Sequence, residues 1–121
     1  MQKAKHKSKE TVTLLETVLQ LNGTFRRQLE PLGITPLQAG VLLYVHRHPA
    51  TKITETAEAV AVRGATLSPM IKTLGREGLL TGRRPPHDDR SVYLTLTPHG
   101  EALARKILVR LRGIRIEVPT H

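Results

Sequence analysis

The stretch RRPPHDDRSVYLTLTPHGEAL, residues 83–103, decides the fold. At its centre Ser91-Val92-Tyr93-Leu94-Thr95-Leu96 alternates and is rich in β-branched residues, the pattern of a strand with one buried face. Just before it, Pro85-Pro86-His87-Asp88-Asp89 combines two prolines with two aspartates, which suits a turn and neither helix nor strand. Leu79-Leu80-Thr81 begins a second extended run upstream, so the pair reads as a β-hairpin with Arg83, Arg84 and Arg90 at its tip. After the strand, Thr97-Pro98 predicts a helix start. Thr serves as N-cap and Pro takes the first helical position, where its missing N–H costs nothing. Glu101 lies near the positive end of that helix dipole. Leu103, Ile107 and Leu111 mark its apolar face, over residues 98–112.

Moving upstream, ITETAEAVAVRGATLSPMIKTLGREGLL (53–80) predicts two short helices. The first covers residues 54–60 with Ile53 and Ala57 inward. Ala61-Val62-Arg63 connects it to a second over residues 65–76, whose core face is Leu67, Met70, Ile71 and Leu74 and which Gly78 ends. Two short helices joined by about three residues form a helix-turn-helix unit. Pro69 falls inside the second. Either Ser68 caps a helix that begins there, or the helix is kinked.

Further upstream, LGITPLQAGVLLYV (32–45) repeats the Thr-Pro start at Thr35-Pro36. Leu37, Val41, Leu42 and Val45 give this helix its buried stripe, and it stops before Pro49. Residues 11–28 predict another helix with Val12, Leu15, Val18, Leu19 and Phe25 at helical spacing, ended by Pro31 and Gly33. After Gly113, Ile114, Ile116 and Val118 alternate until Pro119. The whole reads as mainly α with a small β-hairpin wing: a winged helix-turn-helix over about residues 32–97, flanked by segments at about 10–28 and 98–118 that contain the first and last helices.

The chain has 121 residues, the size of one domain. Lys and Arg number 19 against 10 Asp and Glu, a formal charge of +9 that attracts polyanions. The cations cluster. Lys3, Lys5, Lys7 and Lys9 form a basic arm over residues 1–9, expected to be disordered. Arg63, Lys72, Arg76, Arg83, Arg84 and Arg90 occupy the helix-turn-helix and wing. Arg105, Lys106, Arg110, Arg112 and Arg115 crowd the C-terminal segment. With Phe25, Tyr44 and Tyr93 as the only aromatics, base stacking on aromatic platforms is disfavoured.

The absence of cysteine excludes disulfides, thiolate metal sites and cysteine chemistry. No apolar run reaches the ~18 residues of a membrane span. The N-terminus leads into no apolar signal core, so a cytoplasmic protein is expected. Ser68 and Ser91 lack a Gly-x-Ser-x-Gly context, and no glycine-rich phosphate loop follows a strand. The six histidines show no metal-ligand spacing; His46 and His48 instead complement a helix C-terminus. The expectation is therefore a protein without catalytic residues, metal or cofactor.

The segments 32–45, 53–80 and 83–103 together resemble the MarR family of bacterial transcription regulators. The last is the most specific: a basic wing, Asp-x-Arg at Asp88 to Arg90, Ser91, an alternating strand and Leu-Thr-Pro-x-Gly at 96–100. The resemblance implies a homodimer on palindromic double-stranded DNA, with a recognition helix at about 65–76 and a wing at about 82–91. It implies that Arg90 reaches the minor groove or its phosphates and that Asp88 braces the wing by pairing with arginine. It also implies dimerisation through the first and last helices, and a small-molecule effector pocket between that interface and the DNA-binding lobe. Three departures stand out, the first being Pro69 inside the recognition helix. The family usually continues with another long helix after residues 98–112, and its hydroperoxide-sensing branch, which shares a Ser/Thr-Pro here, senses through cysteine.

Helical steps of 100° place Ala65, Pro69, Lys72 and Arg76 opposite the core face of residues 65–76, flanked by Thr66, Ser68 and Thr73. With Arg63, these are the expected recognition-helix residues: small and hydroxyl side chains toward bases, cations toward phosphates. Arg83, Arg84 and Arg90 are the expected wing contacts. Val12, Leu15, Val18, Leu19, Leu103, Ile107 and Leu111 are the expected dimer interface. The function expected is a sequence-specific, ligand-responsive repressor. The competing readings are a non-specific architectural or RNA-binding winged helix and a protein-interaction module.

Overall fold

The structure, a computed structural model, describes residues 2–88 and 90–114, with side chains from Ser8 onward. The first helix, α1, runs Gln2–Leu29. The expected disordered arm over residues 1–9 is thus corrected: from Gln2 onward it is the opening of α1. Alternating lysines suggest repulsion, but Gln, Ala, Lys and Glu are good helix formers. Extending a helix already nucleated downstream costs little per residue. A 3₁₀ turn, Glu30–Leu32, closes on Gly33 at φ +72°.

Helix α2, Pro36–Arg47, begins as expected. Thr35 Oγ1 accepts from the Gln38 N–H at 3.2 Å, and Gln38 Oε1 accepts from the Thr35 N–H at 3.0 Å, a reciprocal capping box. A two-residue strand β1, Thr51–Lys52, then leads into α3, Ile53–Ala59, and α4, Gly64–Arg76. Strands β2, Leu80–Arg83, and β3, Tyr93–Leu96, form the wing, and α5, Pro98–Leu111, follows. The sheet is antiparallel in the order β1-β3-β2, with Leu80 opposite Leu96, Arg83 opposite Tyr93 and Thr51 opposite Leu94. Sequence reading found the hairpin and missed β1, which exists only as a partner for β3.

One core joins all layers: Val41, Leu42 and Val45 of α2, Leu67 and Leu74 of α4, Leu94 of β3, and Ala104 and Ile107 of α5 are essentially inaccessible. Ile107 therefore leaves the expected dimer interface. α5 packs on α2 and α1 of its own protomer, with Leu103 and Leu111 half-buried against the same core. Arg110 Nε also donates to the Gln28 carbonyl at 3.0 Å, tying α5 to the end of α1. Ile116 and Val118 of the alternating tail lie outside the described residues. No described helix is long and apolar enough to cross a membrane.

The joint between α4 and α5 gives the Leu-Thr-Pro-x-Gly motif its physical meaning. α4 ends in a Schellman turn: Gly78, at φ +74°, donates to the Gly75 carbonyl and Leu79 to the Leu74 carbonyl, both at 3.0 Å. Thr97 then clamps that turn. Its hydroxyl donates to the Gly78 carbonyl at 2.5 Å and accepts from the Gly100 N–H at 3.0 Å, while its own N–H donates to the Leu79 carbonyl at 3.1 Å. Gly100 sits so close that a Cβ would lie 1.9 Å from the Leu79 oxygen. Only glycine permits this approach.

Candidate nucleic-acid interface

Helix α4 has two faces. Leu67, Ile71 and Leu74 are buried, with Met70 packed partly against the core. Ala65, Thr66, Ser68, Pro69, Lys72 and Arg76 are exposed on the other side, and Arg63 is exposed at the N-cap position. Thr73 is half-buried; its hydroxyl donates to the Pro69 carbonyl at 3.1 Å and accepts from Arg76 Nη2 at 3.3 Å. Thr73 thus orients Arg76. The helix is continuous from Gly64, so Pro69 lies within it and Ser68 caps nothing.

The turn before α4 holds a feature that sequence reading did not single out. Ala61 adopts φ +58° as the αL residue of a second Schellman turn. Its N–H donates to the Glu58 carbonyl at 3.1 Å and the Val62 N–H to the Ala57 carbonyl at 3.0 Å. This conformation favours glycine, and alanine holds it at a cost of about 1 kcal/mol. The turn sets how α4 projects from α3.

The wing carries exposed Arg83, Arg84 and Arg90. Its tip folds through the Asp88 N–H, which donates to the Pro85 carbonyl at 3.1 Å. Asp88 is held by a hydrogen bond with the Ser91 side chain and by the Arg90 N–H, which donates to Oδ1 at 3.1 Å. These bonds, Ser91 foremost, hold the Asp88 carboxyl below the usual carboxylate range. The brace so formed acts on the Arg90 backbone. At the base of the wing, the Ile53 N–H donates to the Val92 carbonyl at 3.0 Å, and the Lys52 ammonium sits 5.8 Å from the centre of the Tyr93 ring. The base of the hairpin is thereby tied to the start of α3.

On the far side, α1 exposes Val12, Leu14, Leu15, Val18 and Leu19. Leu14 was not among the expected interface residues; the Leu14-Leu15 pair, widening the stripe, was its signal. α5 adds exposed Leu108 and Val109. His46 lies in the last turn of α2, as expected, and also bonds through Nδ1 to Glu101 Oε2 at 2.5 Å, tying α2 to α5. His48 stacks on Tyr44 with ring centroids 4.4 Å apart. A cleft of about 220 Å³ lies between α1, α2 and α5, lined by Phe25, Leu29, Pro36, Ala39, Leu43 and Leu111.

Comparison with known proteins converges on one group. The family model of the transcriptional regulator SarA/Rot matches residues 24–107. The organic hydroperoxide resistance transcriptional regulator of Bacillus subtilis (strain 168) is 31% identical over 87 residues, which cover 72% of this chain and 59% of that protein. The HTH-type transcriptional repressor MdtR of the same organism is 28% identical over 71% of this chain and 56% of its own. This chain thus spans less than two-thirds of the length of these relatives. Among solved structures, the transcriptional repressor CouR bound to a 23-mer DNA duplex matches with TM-score 0.78 at 28% identity, over 83% of this chain and 70% of that one. The M. tuberculosis regulator MOSR in complex with DNA matches with TM-score 0.72 at 26% identity, over 85% and 74%. The wing, the recognition-type helix and the matched residues agree: the chain belongs to the SarA/Rot family of transcriptional regulators, a family of MarR-like winged-helix proteins.

Proposed function

We propose that this protein is a sequence-specific, double-stranded DNA-binding transcriptional regulator that acts as a homodimer on a palindromic operator. The observation that carries the reading is the outward face of α4. Small and hydroxyl residues near its N-terminus (Ala65, Thr66, Ser68) permit close approach to base edges, and Lys72 and Arg76 lie further along the same face to meet phosphates. Arg83, Arg84 and Arg90 on the wing extend the contact to the flanking backbone or a narrow minor groove. Thr73, which orients Arg76, and Arg63, at the helix entry, complete the set. The dimer is held through α1, where Val12, Leu15, Val18 and Leu19, with Leu14, stand exposed in the protomer. Repression is relieved by a small, largely apolar effector in the cleft between α1, α2 and α5, and the protein works in the cytoplasm without catalysis, metal or cofactor.

Selection of bound duplexes from a random pool tests the reading. A palindromic motif with half-sites one helical turn apart is expected. If each protomer neutralises about four phosphates, log K falls against log[salt] with a slope of roughly −7 for the dimer. Arg90→Ala is expected to flatten the slope by about one or two units. Equal affinity for every duplex, or for single-stranded RNA, would overturn the proposal.

A further inference from the structure

Proline inside a helix leaves a vacancy in the backbone ladder. Pro69 has no N–H, so the carbonyl of Ala65, four residues earlier, loses its α-helical donor. Pro69 lies well inside α4, five residues beyond the first helical residue Gly64, where a missing bond is not simply one of the unmade bonds of a helix end. Steric pressure from the proline ring tilts the carbonyl four residues back away from the axis. Both Ala65 and Pro69 are exposed, and they lie on the outward stripe that also carries Lys72 and Arg76. The released acceptor therefore sits toward the N-terminal end of the face proposed to enter the major groove. Its neighbours, Gly64, Ala65 and Ser68, are small enough for that backbone to come close to a base edge.

We infer that the carbonyl of Ala65, released by Pro69, is a sequence-reading acceptor that selects an exocyclic amine at one base pair of each half-site. This rests on the duplex-binding reading above. In the major groove such an amine is presented by adenine N6 or cytosine N4, whereas guanine O6 and thymine O4 are acceptors that a carbonyl repels. A buried or groove-enclosed carbonyl without a donor is costly, so the correct base is favoured and the wrong bases are penalised by the same atom. The preference is carried by main chain, and no side-chain inventory of α4 would reveal it.

The experiment combines base selection with a cycle between protein and DNA. Wild type and Pro69→Ala, each as the full chain, are used to select duplexes from a random pool. Alanine restores the N–H and closes the bond to the Ala65 carbonyl, and its high helix propensity keeps α4 folded, which circular dichroism checks. The wild-type motif is expected to hold one position per half-site restricted to adenine or cytosine, and Pro69→Ala is expected to lose that restriction while keeping the remaining positions. At that position the amine is then deleted, by purine in place of adenine or pyrimidin-2-one in place of cytosine. Wild type is expected to bind the deleted duplex about fivefold more weakly, the worth of one hydrogen bond, and Pro69→Ala to bind both duplexes within twofold.

A motif unchanged in Pro69→Ala would overturn the inference while leaving the DNA-binding proposal standing. So would sensitivity to removal of a thymine methyl, by uracil, in place of sensitivity to the amine, because the proline ring would then be the reader. A wild type that selects no motif would overturn the sequence-specific reading and this inference with it.

Discussion

α1 and α5 carry apolar stripes of the same helical period, and they do opposite things. On α5, Ile107 is fully buried in its own protomer, with Leu103 and Leu111 packed beside it. On α1, Val12, Leu14, Leu15, Val18 and Leu19 remain 53–61% exposed. Among the described residues of α1, Phe25 and Leu29 join the core. Periodicity states which face of a helix is apolar, not which surface covers it. α5 is covered by α2 and the end of α1, because the Thr97 joint and the Arg110 bond to Gln28 hold it there. The stripe of α1 has no such cover among the described residues, and a second chain is its proposed partner.

The largest effect expected along this divide is at Gly100. In Gly100→Ala the new methyl must displace the Leu79 backbone, so α5 cannot seat on the end of α4. Loss of the cooperative thermal transition is expected, and a variant that melts like wild type would show that the joint yields. Next comes a paired comparison. Ile107→Ala should destabilise the protomer by about 2–5 kcal/mol, read by urea denaturation, and leave the association state of the folded fraction unchanged. Leu15→Glu should do the reverse: light scattering should show a monomer, while the denaturation midpoint extrapolated to the monomer is nearly unmoved. If both variants lose stability and association together, the separation between the two helices is wrong.

A smaller effect sharpens the comparison by touching neither helix. Ala61→Gly relieves the left-handed strain in the turn before α4, partly offset by the greater freedom of glycine in the unfolded chain. A gain of about 0.5–1 kcal/mol in denaturation is expected with dimerisation unchanged. A loss of stability would mean that the turn does not hold its φ of +58° in solution.

The smallest effect lies in the wing. Asp88 has a folded pKa held below the unfolded value of about 3.9. Its contribution is therefore present above that pH and is lost as pH falls through the lower folded value. The Arg90 amide resonance should shift with a midpoint below that of a free aspartate, and Asp88→Asn should abolish this titration without a measurable change in global stability. A midpoint at the free value would remove the brace.

Much of this architecture was legible because its signals are local. Thr35-Pro36 and Thr97-Pro98 announce their helices through chemistry confined to four residues, and the double-proline, double-aspartate turn can be little else. The outward residues of α4 followed from helical geometry alone. What was not legible depends on distant neighbours. β1 is two residues long and is a strand only because β3 lies beside it. Ile107 was assigned to an interface because nothing near it in sequence reveals α2. The Leu-Thr-Pro-x-Gly motif was visible as a pattern, yet the reason for Gly100 lies twenty-one residues away, at the Leu79 carbonyl. His46 and Glu101, 55 residues apart, found one another in the same way.

The clamp at Thr97 has a consequence for motion. One hydroxyl both closes the end of α4 and opens α5, and the Thr97 N–H returns to Leu79, so no bond in this joint breaks without loosening both helices. The amides of Leu79, Thr97 and Gly100 should exchange with solvent as one cooperative unit, at the rate of global unfolding. The end of α4 and the start of α5 are thus joined by a bonded clamp at Thr97. A tilt imposed on α5 is therefore expected to bear directly on the end of α4, as in a rocker arm turning on a single pin.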